Sequence, residues 1–149
     1  MRQITCYADR PSVRPIDSEV TLTSDAATGG KFDVDASTTN GPIDLKFIKS
    51  PVSSLLKGKA KSTIGPVKVA LAPEYEGHFF GSSVIGGATV VDRNVEDPEG
   101  KGRHREVLQR RTGQNVDGSV FWVESDGSHA ENESSVEAST TISAVEILV

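Results

Sequence analysis

One basic cluster and one tryptophan are the residues of this chain best equipped for recognition chemistry. Lys101, Arg103, Arg105, Arg110 and Arg111 fall close together, and Trp122 follows shortly after. Such a cluster can hold an anion, an acidic partner or a phosphoinositide head group. It is bracketed by Glu96, Asp97 and Glu99 and contains Glu106, so neutralisation within the protein competes with binding. An exposed Trp122 can stack on a pyranose face; a buried one is core. Val120-Phe121-Trp122-Val123 reads as a strand, so one of the two central aromatics must face outward. Lys101, Arg103, Arg105 and Trp122 are therefore the candidate ligand-binding residues.

Other chemistries find no complete residue set. Gly100-Lys101-Gly102-Arg103 looks like a phosphate loop but lacks the Gly-Lys-Ser/Thr ending. His78, His104 and His129 stand in unrelated contexts without metal-ligand spacing, so no metal or cofactor is expected. Gly-x-Ser-x-Gly is absent, and no serine is tied to a histidine and a carboxylate. Asp33 and Asp35 share one strand face about 7 Å apart, but alternation alone accounts for them. Cys6 is the sole cysteine, so the chain forms no internal disulfide. Asn132-Glu133-Ser134 fits the glycosylation sequon, expected to go unused without a secretory signal. No catalytic residue is assigned, and the chain reads as non-enzymatic.

The elements that would position these residues are short strands. Of the 149 residues, 36% are hydrophobic, and the formal net charge is −5. That balance argues against a nucleic-acid binder, which needs clustered positive charge over a wide surface. No apolar run is long enough to cross a membrane as a helix. Glu19 to Thr23 alternates, with Val20 and Leu22 on one face. Phe32, Val34 and Ala36 share a face opposite Asp33 and Asp35; Ile43, Leu45 and Phe47 share one opposite Asp44 and Lys46.

Between those two strands lies Asn40-Gly41-Pro42, and the pattern returns at Gly58 to Leu71 and at Val136 to Val149. Ala36 and Ala60 are 24 residues apart, as are Ile43 and Val67. A fixed period of this size signals stacked units. His78 to Ser83, the turn Gly86-Gly87 and Ala88 to Val91 form a degenerate further copy. Glu106 to Arg110 and Ser119 to Glu124 read as strands, Val52 to Lys57 as one helical turn, and Ser125 to Ser135 as a mobile loop.

These segments carry a resemblance. Ser37-Thr38-Thr39-Asn40-Gly41-Pro42-Ile43, Leu71-Ala72-Pro73-Glu74-Tyr75-Glu76-Gly77-His78-Phe79, Glu96-Asp97-Pro98-Glu99-Gly100-Lys101-Gly102-Arg103 and Gly118-Ser119-Val120-Phe121-Trp122 resemble, in order, segments of a repeat family of unknown function common in mushroom-forming fungi. That family is in turn similar to bacterial adhesin-type repeat domains. The resemblance runs from about Glu19 to Val149, with Ile64-Gly65 and Ile142-Ser143 standing where Asn-Gly or Asn-Ser is expected. It implies an all-β, solenoid-like structure and no reaction.

The expected architecture is thus all-β: a repeat-built β-solenoid of short strands, with an antiparallel β-sandwich as the alternative. Residues 1–16 are expected as an irregular arm and residues 17–149 as a single domain. The expected function is a non-enzymatic, adhesin-like binding or scaffold module for a protein or polysaccharide partner. A lectin-like carbohydrate module is the alternative, and a hydrolase with dispersed catalytic residues stands third. With a single cysteine and no signal peptide, the expected location is cytoplasmic. Open strand edges, the strand ending at Val149 among them, suggest edge-mediated self-association.

Overall fold

Period-two alternation over Lys31–Asn40 leaves no apolar stripe for a helix but one complete apolar face for a strand. The structure is a computed structural model that describes the backbone of residues 2–8, and residues 15–23 and 29–149 throughout. Its strands are β1 (Arg2–Ala8), β2 (Ile16–Thr21), β3 (Lys31–Asn40), β4 (Ile43–Lys49), β5 (Leu55–Ile64) and β6 (Val67–Ala70). They continue as β7 (Gly77–Ile85), β8 (Ala88–Val91), β9 (His104–Thr112), β10 (Asn115–Val123), β11 (Ser135–Ile142) and β12 (Val145–Leu148). The protein is all-β, and among the described residues no helix is long and apolar enough to cross a membrane.

The strands form two sheets. Sheet A runs β1-β3-β5-β11-β7-β10-β9 and sheet B runs β2-β4-β6-β12-β8. Each long strand of sheet A passes through a tight turn into a short strand of sheet B: β3 into β4, β5 into β6, β7 into β8, β11 into β12. Because the chain returns to sheet A only after visiting sheet B, successive strands in each sheet point the same way. All pairings in sheet B are parallel, and sheet A is antiparallel only at β7–β10 and β10–β9. This connectivity corrects the antiparallel-sandwich alternative.

The core lies between the sheets. Ile43, Val67, Val145 and Ala88 stand in register across sheet B, as do Leu45, Val69, Ile147 and Val90. All but Val90 are almost wholly buried. Sheet A faces them with the small row Ala36, Ala60, Ala138 and Gly81. A Cβ on Gly81 would lie 3.3 Å from Ile147 Cδ1, so the small row lets the sheets approach closely. Fully burying a Val, Leu or Phe side chain stabilises by roughly 1.5–3 kcal/mol, and β3–β4, β5–β6, β7–β8 and β11–β12 each supply at least one.

The turns stack as well. Gly41, Gly65 and Gly86 all have φ between 128° and 139°, and Ser143 takes the same place with φ 148°. Gly41 N–H donates to Ile64 O (2.8 Å), Gly65 N–H to Ile142 O (3.2 Å) and Ser143 N–H to Ile85 O (2.8 Å). Inside the corner runs a buried hydroxyl row. Ser62 Oγ donates to Gly41 O, Thr140 Oγ1 to Gly65 O and Ser83 Oγ to Ser143 O. The Ser/Thr ahead of each turn thus faces inward and ties its own pair to the neighbouring turn. Ser62→Ala is expected to destabilise the protein by about 1 kcal/mol, measured by urea unfolding, because a buried carbonyl loses its donor.

Four further expectations are corrected. Residues 2–8 do not belong to an irregular arm: Arg2–Ala8 pairs with β3 over its whole length. Of that expected arm, residues 1 and 9–14 lie outside the described residues. Leu55 to Lys57, read as part of a helical turn, opens β5, since Leu56 and Gly58 alternate inward with the rest of that strand. The strand ending near Val149 is not an edge. It lies between β6 and β8, with Val149 fully buried, and among the described residues the edge strands are β1 and β9 in sheet A and β2 and β8 in sheet B. The loop 125–135 carries fixed contacts: Asn132 Nδ2 donates to Ser54 O (3.2 Å), and Ser134 is 1% exposed.

Candidate functional site

Arg103 and Arg105 of the basic segment do come together with Trp122, but as internal structure. Val120 and Trp122 share parity on β10 and point inward, which turns Phe121 outward. Trp122 is 3% exposed; its Nε1 donates to Pro73 O (3.0 Å) and its backbone N–H to Glu76 Oε1 (2.9 Å). The Arg103 and Arg105 guanidiniums lie 5.5 and 5.6 Å from the indole centroid. No sugar can stack on this ring, which corrects Trp122 as an exposed platform.

Arg103 is also spoken for. Its Nη2 donates to Asp97 Oδ1 at 2.8 Å and lies 2.7 Å from Glu99 Oε2, and both Arg103 and Asp97 are under 10% exposed. Asp97 additionally accepts from the backbone N–H groups of Glu99, Lys101 and Arg103. The glycine-bearing loop thus does cradle an anion, and the anion is Asp97. Its hydrogen bond to the Arg103 side chain, with those backbone donors, holds its carboxyl far below the usual range. Lys101 is exposed and pairs with Glu99 at 3.0 Å.

Arg105 is pulled down to about 10, first by burial and then by nearby Arg93. Its Nε, Nη1 and Nη2 are buried without a hydrogen-bond partner, and its charge is met instead by the Trp122 face and by Asp92, Glu76 and Glu74. Arg103, Arg105 and Trp122 therefore form a structural stack against the end of the core rather than an open recognition surface, and Lys101 stays outside it on the surface.

An open surface exists on the outer face of sheet A. The register aligns Glu137, Phe80, Asp117 and Arg110 in one row, and Ser135, His78, Ser119 and Leu108 in the next. A groove of about 700 Å³ lies over these rows. Phe80 and Leu108 are large apolar residues exposed at 38% and 51%. Arg110 and Asp117 pair at 3.3 Å while both remain well exposed, so water screens the pair and little energy holds it closed. His78 and Ser119 also line an adjoining groove of about 390 Å³ that reaches His129 and Glu131. There the imidazole of His129 stacks on Phe121, centroids 4.1 Å apart.

This is an apolar floor with convergent hydrogen-bonding side chains, the pattern of a ligand surface. Among the described residues no three His, Cys, Asp or Glu side chains converge as a metal would require. Sequence reasoning passed over Phe80 and Asp117 and weighed His78 only as a metal ligand. The available signal was parity: in His78-Phe79-Phe80 one phenylalanine must be core and the other exposed. A scan against family models, a search of curated proteins and a search of solved structures each found no match.

Proposed function

We propose that the chain is a non-enzymatic, adhesin-like binding module, built as a β-solenoid, whose sheet A groove holds a stretch of polysaccharide. The observation that carries this reading is Phe80, exposed at the groove floor and flanked in register by Glu137 and Asp117. An aromatic face receives the C–H face of a pyranose, while carboxylates and hydroxyls bond to the ring hydroxyls. The row from Glu137 to Arg110 crosses three strand spacings, about 14 Å, which suits an extended ligand better than a small molecule. The solenoid reading is supported by the stacked turns at Gly41, Gly65, Ser143 and Gly86 and by the parallel pairing of the strands they join.

A glycan array followed by titration calorimetry tests this. Binding to a subset of polysaccharides is expected, and Phe80→Ala is expected to weaken it about tenfold, the worth of one aromatic stacking contact near 1.4 kcal/mol. Trp122→Ala is unsuitable as a test because it removes core. A folded protein that gives a flat array overturns the proposal.

A further inference from the structure

Chain order and spatial order disagree at one place. β11 and β12 are the last strand pair in sequence, yet β11 sits between β5 and β7 and β12 between β6 and β8. No strand of β1–β6 is a sheet neighbour of any strand of β7–β10 except through this pair. The molecule is two blocks closed by a keystone. Val136, Ala138, Thr140, Val145, Ile147 and Val149 carry the keystone's buried side chains, each at most 5% exposed. Ser134 locks its entrance to both blocks: its Oγ accepts from Leu56 N–H (2.9 Å) and its carbonyl from His78 N–H (2.8 Å).

We propose that the slot between β5–β6 and β7–β8 is a binding site for a strand pair, and that a second copy of this chain fills it by reciprocal exchange of β11–β12. Every contact the pair makes to the two blocks is recreated when the pair comes from another copy, so the closed monomer and the exchanged dimer differ mainly in the linker. The linker permits this. Residues 125–131 are exposed, and the segment is held by the 124–128 turn, by the stack of His129 on Phe121 and by the Asn132 and Ser134 anchors, so its release gives up few contacts. Parallel pairing across such sequence separations forms slowly, which leaves the slot open to a neighbour during folding. The β5 and β7 edges and the apolar row between them remain uncovered until a keystone arrives.

Two experiments test it. Ser119 and Ser135 flank His78 in one row, so they lie about 10 Å apart, and Val123 lies about 13 Å further along β10. A chain lacking residues 124–131 joins Val123 directly to Asn132. The three residues left before Ser135 then span at most about 14 Å, short of the roughly 16 Å needed. This variant is expected to be a dimer with the strand content of the parent; a folded monomer overturns the proposal.

The second experiment keeps the full linker, in case the deletion does not fold. Lys59 and Glu137 are register neighbours on the outer face of sheet A. Lys59→Cys and Glu137→Cys chains, each also Cys6→Ser and differing in size tag, are unfolded together and refolded at high concentration. A disulfide between the two tags is expected, and its yield rises with protein concentration. The double variant in a single chain shows that the pair can oxidise. If that control oxidises and the mixed chains give no cross-link at any concentration, exchange does not occur.

Discussion

Gly65→Ala is expected to lower stability by about 3 kcal/mol or more, while Gly100→Ala costs only about 1 kcal/mol. Both glycines have positive φ, 135° and 64°. Their surroundings separate them. A Cβ on Gly65 would meet Gly41 O at 2.3 Å and Gly41 C at 2.5 Å, whereas a Cβ on Gly100 has nothing within 4 Å. At Gly65 the obstacle is the backbone of the next turn in the column, which cannot rotate away as a side chain could. Relief requires moving the Gly65 turn away from Gly41, which stretches the Gly41–Ile64 hydrogen bond and crowds the Ile142–Ser143 turn on the other side. For a chain of this size 1 kcal/mol moves the melting temperature by about 2–4 °C, so the two variants should differ by several degrees in thermal unfolding followed by circular dichroism. Equal losses at both positions would mean that the column of turns does not hold the sheets together.

The strands of the core were readable from residues alone because period two assigns faces without any knowledge of partners. Phe32, Val34 and Ala36 had only one way to be buried together, and so did Ile43, Leu45 and Phe47. The spacing of 24 residues reappears as the register of β3 against β5, where Ala36 lies beside Ala60. The position of β11–β12 was not readable. Val136-x-Ala138-x-Thr140 presents the same inward pattern as Val34-x-Ala36-x-Thr38, so burial is satisfied wherever that pair is inserted. Order among such copies is set by loop reach and by details of the junctions, such as Ser134 between Leu56 and His78. Period two also places Thr38 and Thr140 of the repeats on the apolar face, since Thr38 shares the parity of Phe32, Val34 and Ala36. Both Thr38 and Thr140 are buried, and the Thr140 hydroxyl meets the Gly65 turn carbonyl inside the corner.

The candidate site was half readable. Proximity of Arg103, Arg105 and Trp122 follows from the β9–β10 hairpin, in which Trp122 is the register partner of Arg105. Their inward orientation is set by the parity of Val120 and Trp122, which a sequence rich in alternating residues on both faces leaves open. The groove residues come from β7, β9, β10 and β11, and only the pairing of those strands brings Phe80, Asp117 and Glu137 into one row.

The second large effect is expected at Asp97. Asp97→Ala should destabilise the protein by about 2–3 kcal/mol, because the Arg103 side chain, 8% exposed, loses its two-pronged acceptor and keeps only Glu99 Oε2 close by, at 2.7 Å. The loop backbone suffers too, since the N–H groups of Glu99, Lys101 and Arg103 all lose the same carboxylate. Trp122 reports the change directly: it is the sole tryptophan and lies against Arg103, so its emission should shift to the red as the loop loosens. The pH dependence has a definite sign. The folded Asp97 carboxyl titrates well below its unfolded value near 3.9, so its stabilisation is complete above about pH 5 and is lost as pH falls toward the folded value. Asp97→Asn should therefore be less stable than the parent at pH 7 and should approach it as pH drops below 4. A gap that stays constant from pH 7 to pH 3 would show that the carboxylate charge plays no part. Acetate added to Asp97→Ala supplies the missing anion to the same cradle and should restore part of the lost stability, whereas chloride at equal ionic strength should restore less because it cannot accept the paired donors of Arg103 in a planar fork.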